Sequence, residues 1–359
     1  MRRPWRIALF APLLLWLANC AGEGSSGPAD LRTANFSDLP GWSSDNQSEA
    51  LSSLRQSCPK LTAADMVVPT ERGRQTVTAA DWRAICEAAA QVPARNATAA
   101  RSFFETWFRP VAFANEARFT GYFEPEIRGS RVPSRRFTVP VYRHPPDLGT
   151  APYLTRAEIE NGALKGKGLE IAYVGDPIGL FELHVQGSGR IVLAEGGVLR
   201  LGFDGSNNQP YTALARVMAD ENIMPRDQAS WPRIRQWLQD NPSRGRELMR
   251  RNERYIFFRD MQGQGPLGAH GVSLLAGRSL AVDPAYTPYG LPVWVETQKP
   301  IEGKPQMEAY RRLLVAQDTG SAIKGPARGD VFFGSGTSAA DSAGRLNSTG
   351  HFWMLVPRK

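Results

Sequence analysis

The chain has 359 residues, 42% apolar, 9% aromatic and 22% charged, with 34 Gly and 27 Pro. That composition excludes coiled coil, collagen and wholesale disorder, and the length suits one large or two medium domains with real cores. The net charge of +8 falls to about +5 once Arg2, Arg3 and Arg6 are set aside as part of a leader. No Lys/Arg stripe interleaved with aromatics is present, so nucleic acid is not expected as a partner. An acidic polymer or plain solubility accounts for the charge equally well. Three Cys and four His leave little for a multi-metal centre, and His144, His184, His270 and His351 have no ligand spacing. Neither a metal nor a cofactor is expected.

Arg2, Arg3 and Arg6 precede an apolar run over 7–17, followed by Ala18-Asn19-Cys20-Ala21-Gly22. A basic start, a short apolar core and small residues read as an export signal over 1–21. No later run is long enough to span a bilayer. Leu17-Ala18-Asn19-Cys20 also resembles a lipoprotein box with Cys20 as the lipidated residue, although Asn19 stands where Gly, Ala or Ser is usual. In an oxidising space Cys58 and Cys86 are the two remaining thiols. They lie just past a helix predicted over 47–56 and inside one over 80–91, and no His lies within about fifty residues of either. A structural disulfide is therefore preferred to a catalytic thiol, and it would stabilise the fold by about 3 kcal/mol.

Residues 22–45, rich in Gly, Ser, Asp and Asn, read as a tether, and 46–113 as largely helical. Phe103, Phe104, Trp107 and Phe108 recur at helical spacing and read as core. Strand patterns follow over 137–142, 180–185, 190–194 and 198–203. Two helices are marked by Tyr211, Leu214 and Met218, then by Trp231, Ile234 and Leu238. Further strands are predicted over 255–258, 279–282, 291–296, 312–317, 330–333 and 352–356. The expected fold is mainly β, chiefly antiparallel, with helical decoration.

No phosphate-binding loop, nucleophile elbow or zinc-protease helix is present. Gln186-Gly187-Ser188-Gly189 reads as a tight turn between the 180–185 and 190–194 strands, with exposed polar groups that could touch a ligand. The densest chemical signal is the stretch 316–334. There Asp318 closes an apolar strand, Asp330 opens another, and Gly320, Gly325 and Gly329 lie between them. Two carboxylates at adjoining strand ends suit glycoside chemistry, in which an acid needs a raised pKa supplied by burial or a like charge. The plainer alternative is that both Asp residues cap turns.

That stretch, with Phe119-Thr120-Gly121-Tyr122-Phe123-Glu124-Pro125, Val185-Gln186-Gly187-Ser188-Gly189 and Gly277-Arg278-Ser279-Leu280-Ala281-Val282-Asp283-Pro284, resembles the MltA family of membrane-bound lytic murein transglycosylases. The last motif, running on to Asp330, resembles the 3D domain, whose three Asp residues would be Asp283, Asp318 and Asp330. The resemblance covers about 36–359. It implies a double-psi β-barrel, built from 46–125 with its N-terminal helices and from 263–359, around an inserted β-rich domain over 126–262. It also implies cleavage of the β-1,4 bond between MurNAc and GlcNAc in peptidoglycan to leave 1,6-anhydro ends. Asp330 would act as acid then base, and Asp318 would be its companion. Thr120, Tyr122, Gln186 and Ser188 are the candidate substrate contacts, and Asp283 is assigned to holding a loop. Phe123 stands where many relatives carry a second Tyr. The expected partner is the glycan strand, the expected state a monomer, and the expected place the periplasm, with an outer-membrane anchor if Cys20 is lipidated. Two alternatives stay open: a hydrolase using Asp318 as base for water, and a wall-binding module without catalysis.

Overall fold

The computed structural model describes residues 30–261 and 265–358. The export signal, Cys20, the first part of the tether and the boundary at 262/263 fall outside the described residues. Two sheets dominate. The larger orders its strands Leu31–Thr33, Phe108–Phe113, Asn347–Pro357, Pro292–Pro300, Met307–Asp318, Ser279–Val282, Arg328–Ser335 and Ala117–Glu124. Ala117–Glu124 also pairs back onto Asn347–Pro357, from Thr120 opposite Asn347 to Ala117 opposite Gly350. Six strands therefore close into a barrel-like ring, and the fold is mainly β with helices at its N-terminal side. Two neighbouring pairs in the ring are parallel, Ser279–Val282 with Met307–Asp318 and Arg328–Ser335 with Ala117–Glu124.

Apolar side chains facing both ways explain why these strands read as continuous runs. Leu313, Leu314, Val315 and Ala316 are all fully buried, half of them toward the ring interior and half beneath helices, the usual pattern for strands covered on two faces. The helices Gln47–Leu61, Ala79–Gln91 and Ala97–Trp107 supply that cover. Ala79–Gln91 starts at a reciprocal cap, in which Asp81 N–H donates to Thr78 Oγ1 (3.2 Å) and Thr78 N–H donates to Asp81 Oδ2 (2.8 Å). Cys58 and Cys86 are joined by a disulfide that ties the first two helices.

The smaller sheet orders its strands Ile256–Asp260, Val198–Ser206, Gly189–Leu193, Glu126–Ser130, Glu170–Val174 and Val139–Tyr142. Its core is Val141, Val174, Leu183, Ile191, Leu201 and Phe258. The helices Leu214–Asp220, Trp231–Asp240 and Pro242–Arg250 enclose a separate apolar cluster around Met218, Ile234, Leu238 and Leu248.

Several expectations need correction. From residue 30 onward the supposed tether is packed. Leu31–Thr33 joins the sheet edge, and Trp42 meets Trp294 edge-on with ring centroids 5.2 Å apart. Asp45 accepts two hydrogen bonds of 2.8 Å from the buried Arg278 guanidinium. Small polar residues serve there as turns and caps. The stretch 46–113 is not helical throughout, since it holds the hairpin Met66–Thr70/Gly73–Val77 and the strand Phe108–Phe113. Cys58 lies within the first helix, which runs on to Leu61. Tyr211 precedes its helix, which begins at Leu214.

The strand predicted over 180–185 is the helix Pro177–Gln186. Asp176 Oδ1 accepts from Ile178 N–H (3.0 Å) and Gly179 N–H (2.9 Å), Pro177 opens the helix, and Gly187 closes it in the left-handed region at φ 77°. Gly187 is thus a helix terminus rather than part of a hairpin turn. The helix Thr337–Arg345 has no apolar period in the sequence and was not foreseen.

Replacing Cys58 and Cys86 with Ala should lower unfolding free energy by about 3–4 kcal/mol, as the loop length predicts. Urea melts of the oxidised protein and the double variant would check this, and equal midpoints would refute it.

Candidate active site

Register alone brings the candidate residues together. Thr120 lies opposite Asp330, Asp330 opposite Ala281, and Ala281 opposite Asp318. Directly opposed residues share a face, so the four form one row across four strands. The two acids are two strand spacings apart at the backbone, roughly 9.5 Å. Asp318 reaches this row because of a bulge. Leu280 pairs with Ala316 but Ala281 pairs with Asp318, which leaves Gln317 as the extra residue. The fully buried Gln317 side chain turns away to helix Gln47–Leu61. Its Nε2 donates to Ser53 O and Ser57 Oγ (2.9 Å each), and its Oε1 accepts from Ser279 Oγ (2.6 Å).

The acids have opposite hydrogen-bonding situations. Asp318 Oδ1 accepts from Ala269 N–H and Thr319 N–H, and its Oδ2 accepts from Tyr122 OH, all at 2.9 Å. Asp330 accepts one bond, from Thr120 Oγ1 to Oδ1 at 2.6 Å, and its Oδ2 has no partner among the described residues. Arg328 Nη2 donates to Thr120 Oγ1 (2.6 Å), which directs the threonine proton toward Asp330. Burial pushes the Asp318 carboxyl up to about 6, against its three donors and with a smaller push from the Asp330 charge. Burial also raises Asp330, against the pull of Arg328 and the Thr120 hydroxyl. Burial lifts the Tyr122 phenol well above its ordinary range, and the Asp318 charge adds to the rise, so Tyr122 stays a donor.

Both acids line a cleft of about 730 Å³ between the two sheets, with Thr120, Tyr122, Gln186 and Ser188. Gln186 Oε1 accepts from Phe123 N–H (3.3 Å), which fixes the helix end against the ring. Val185, Phe203, Tyr211 and Leu267 also line the cleft. They make up four of the eight large apolar side chains most exposed among the described residues, so exposed apolar surface concentrates here. A somewhat larger cavity, about 840 Å³, lies between Glu182, Trp231 and Asp341. Its carboxylates Asp176 and Glu182 face Arg235 at 2.5 and 3.7 Å, and neither Asp318 nor Asp330 reaches it.

Other predicted residues stand apart. Asp283 accepts from Ala285 N–H (3.2 Å) and Gly325 N–H (2.9 Å) and shapes the loop between the acids from outside the cleft. Cys58 and Cys86, joined to each other, do not line the cleft. Among the described residues, no group of three or more His, Cys, Asp or Glu could hold a metal ion. Gly121 has a packing reason. A Cβ there would lie 2.7 Å from Ala343 Cα and from the Phe333 ring, so glycine lets helix Thr337–Arg345 sit on the strand. Sequence reasoning missed Ala281, Tyr211, Arg254 and Arg328 as cleft residues. None of the four carries a local signal of a cleft role in the sequence.

Residues 118–259 match the MltA specific insert domain and 278–356 match the 3D domain. Membrane-bound lytic murein transglycosylase A of Vibrio cholerae is 33% identical over 240 residues, which cover 66% of this chain and 64% of that protein. The chain thus spans just under two thirds of the length of such curated relatives. The crystal structure of a membrane-bound lytic murein transglycosylase from Agrobacterium tumefaciens matches over 92% of this chain and 98% of that one, at 32% identity and a TM-score of 0.82. The chain belongs to the MltA family. Another MltA structure, from E. coli with bound chitohexaose, matches over 93% of this chain and 96% of that one, at 25% identity and a TM-score of 0.71.

The raised Asp318 pKa has a consequence for this MltA-family chain. The folded state holds the proton up to about pH 6, whereas an unfolded Asp releases it near 4. Stability tied to this group is therefore present below about pH 4 and lost as pH rises through 6. Asp318→Asn should match wild type at pH 4 and exceed it at pH 7 by up to about 3 kcal/mol. Denaturant melts across this range test it, and a variant equally or less stable at pH 7 would refute it.

Proposed function

We propose that this chain is a lytic transglycosylase that cuts the β-1,4 bond between MurNAc and GlcNAc without water. The observation that carries the reading is that only one of the two cleft acids, Asp330, has an unengaged carboxyl oxygen. A hydrolase with two working carboxylates needs the second free to activate water or attack the sugar. Asp318 has both oxygens committed to three donors, which disfavours that alternative. The nucleophile must then come from the substrate.

In the proposed reaction Asp330, whose carboxyl burial raises, gives an Oδ2 proton to the glycosidic oxygen as the C1–O bond breaks. The resulting carboxylate takes the proton of the MurNAc C6 hydroxyl, whose oxygen bonds to C1 and closes the 1,6-anhydro ring. One proton enters and one returns, and no water is consumed. Thr120, oriented by Arg328, steadies the carboxylate at Oδ1. Asp318 orients Tyr122 and adds negative charge near the developing cation. Tyr122, Gln186 and Ser188 would meet sugar hydroxyl and N-acetyl groups. The similar E. coli structure with bound chitohexaose supports a glycan in this cleft.

The same reading takes the six-stranded ring as a double-psi barrel and 126–262 as the inserted domain. It places the mature protein in the periplasm, as a monomer, on the outer membrane if Cys20 is lipidated. The leader in the sequence and the membrane-bound relatives support this.

Isolated peptidoglycan digested by the chain lacking residues 1–21 should yield muropeptides one water lighter than hydrolysis products, as read by mass spectrometry. Asp330→Asn should abolish release; a variant that still digests murein sinks the assignment. Fragments at full hydrolytic mass would favour the hydrolase, and retention on sacculi without fragments the binding module. Gln317→Leu should lower kcat about ten- to a hundredfold by letting the bulge relax, with KM little changed. Wild-type kcat in a folded Gln317→Leu protein would remove the bulge from the mechanism.

A further inference from the structure

Four cations line the cleft: Arg259 and Lys324 are exposed, and of the two half-buried ones, Arg254 and Arg328, the reaction above uses only Arg328. Arg328 is committed to Thr120 and to the Gly329 carbonyl (2.5 Å), and Arg259 faces Asp204 at 3.7 Å. The half-buried Arg254 guanidinium has no carboxylate within ion-pair distance and no hydrogen-bond acceptor among the described residues. Burial lowers its pKa, as it does for a guanidinium without an anion to restore it. Such a group in a substrate cleft is incomplete.

The chain nevertheless holds the loop bearing it with unusual care. Arg156, 1% exposed, donates from Nε to Asn252 O (2.8 Å) and from Nη2 to Arg254 O (2.5 Å), and its Nη1 lies 3.0 Å from His184 Nδ1. Asn207, fully buried, donates to Glu253 O (2.8 Å) and accepts from Tyr255 N–H (2.8 Å). Asn252 Oδ1 accepts from Thr212 N–H (3.1 Å). Two buried side chains thus spend their hydrogen-bonding capacity on the backbone of 252–255. Arg254, Tyr211 and Asp330 all line this cleft, and the Tyr211 phenol feels both the positive charge of Arg254 and the negative charge of Asp330.

We infer that Arg254 is the receptor for a carboxylate on the glycan strand, borne by the lactyl ether of MurNAc or by the peptide attached to it. The inference rests on the glycan-cutting reading above and adds what selects the bond. GlcNAc and MurNAc differ in the lactyl ether at O3, and GlcNAc carries no carboxylate. In an alternating polymer a fixed guanidinium beside the acid sets the register, so that the MurNAc glycosidic bond, not that of GlcNAc, falls at Asp330. A guanidinium suits this because its planar fork matches a carboxylate.

Calorimetric titration of the Asp330→Asn protein with hexasaccharides of equal length tests this. The ligands are chitohexaose, a peptide-free alternating strand with free lactyl carboxylates, and a peptide-bearing strand. An anionic strand should bind about tenfold more tightly than chitohexaose, with the preference shrinking as salt rises. Preference for the peptide-free strand assigns the carboxylate to the lactyl group; preference confined to the peptide-bearing strand assigns it to the peptide. Adding Arg254→Gln should erase the preference while chitohexaose binding stays within about twofold, and Arg254→Lys should keep part of it. Equal loss for neutral and anionic strands, or no preference in the parent, would overturn the inference and leave the glycan reading standing. Failure of every strand to bind would overturn both. Thermal melts of both Arg254 variants separate lost recognition from lost folding.

Discussion

The register of four adjacent strands in the closed ring is the constraint on which the cleft depends. Were Gln317 paired in regular register instead of bulged, Asp318 would lie opposite Val282 and fall out of the row shared by Asp330 and Ala281. A bulge is tolerable only where the displaced side chain finds a home. Gln317 finds one among Ser53, Ser57 and Ser279, with its amide oxygen and nitrogen both satisfied in a dry environment. The helix that receives it is tied in turn to the ring, through Arg278 on Asp45 and Glu49, and to its neighbour through Cys58–Cys86. The N-terminal helices are therefore part of the apparatus that aims an acid, although none of their residues lines the cleft.

Burial affects both carboxyls in the same direction, and their donors separate their roles. Asp318 carries three donors and is held as an acceptor, whereas Asp330 carries one and keeps an oxygen facing the cleft. The Arg328–Thr120–Asp330 chain also distinguishes the two oxygens of Asp330. A threonine hydroxyl that accepts from a guanidinium keeps its own proton for the carboxylate, so Oδ1 accepts from Thr120 while Oδ2 has no partner among the described residues. Ala281 between the acids completes the arrangement, because a larger side chain in that row would occupy the floor of the cleft.

Much of the ring was legible in the sequence, because runs such as 279–282, 312–317 and 352–356 are apolar, short and bounded by turn residues. The two acids were legible for the same reason, as polar residues at the ends of such runs. Leu180 to Val185 alternates well enough to imitate a strand, and the decisive signals lay at its edges, in Asp176, Pro177 and Gly187. Thr337–Arg345 is built from small residues, so its helical state is set by packing on Gly121 and Phe333 rather than by a pattern of its own. Tyr211, Arg254 and Ala281 were invisible as cleft residues because their roles come from tertiary neighbours distant in sequence. Asn207 organises the loop behind Arg254 through bonds to backbone alone, which nothing in its sequence neighbourhood announces.

The ring also imposes an order of events on the growing chain. Its closing seam joins Ala117–Glu124 to Asn347–Pro357, more than two hundred residues later, and the last strand also pairs with Phe108–Phe113 and Pro292–Pro300. All six strands of the smaller sheet lie within the single stretch from Glu126 to Asp260. A chain that emerges N-terminus first can assemble that sheet early, from contacts nearby in sequence, but cannot close the ring until Asn347–Pro357 has emerged. Until then the sheet edges at Ala117–Glu124 and Phe108–Phe113 lack their final partner, open to mispairing. Thr120 and Asp330 sit beside the seam, so the row that joins them is framed only once Asn347–Pro357 has docked.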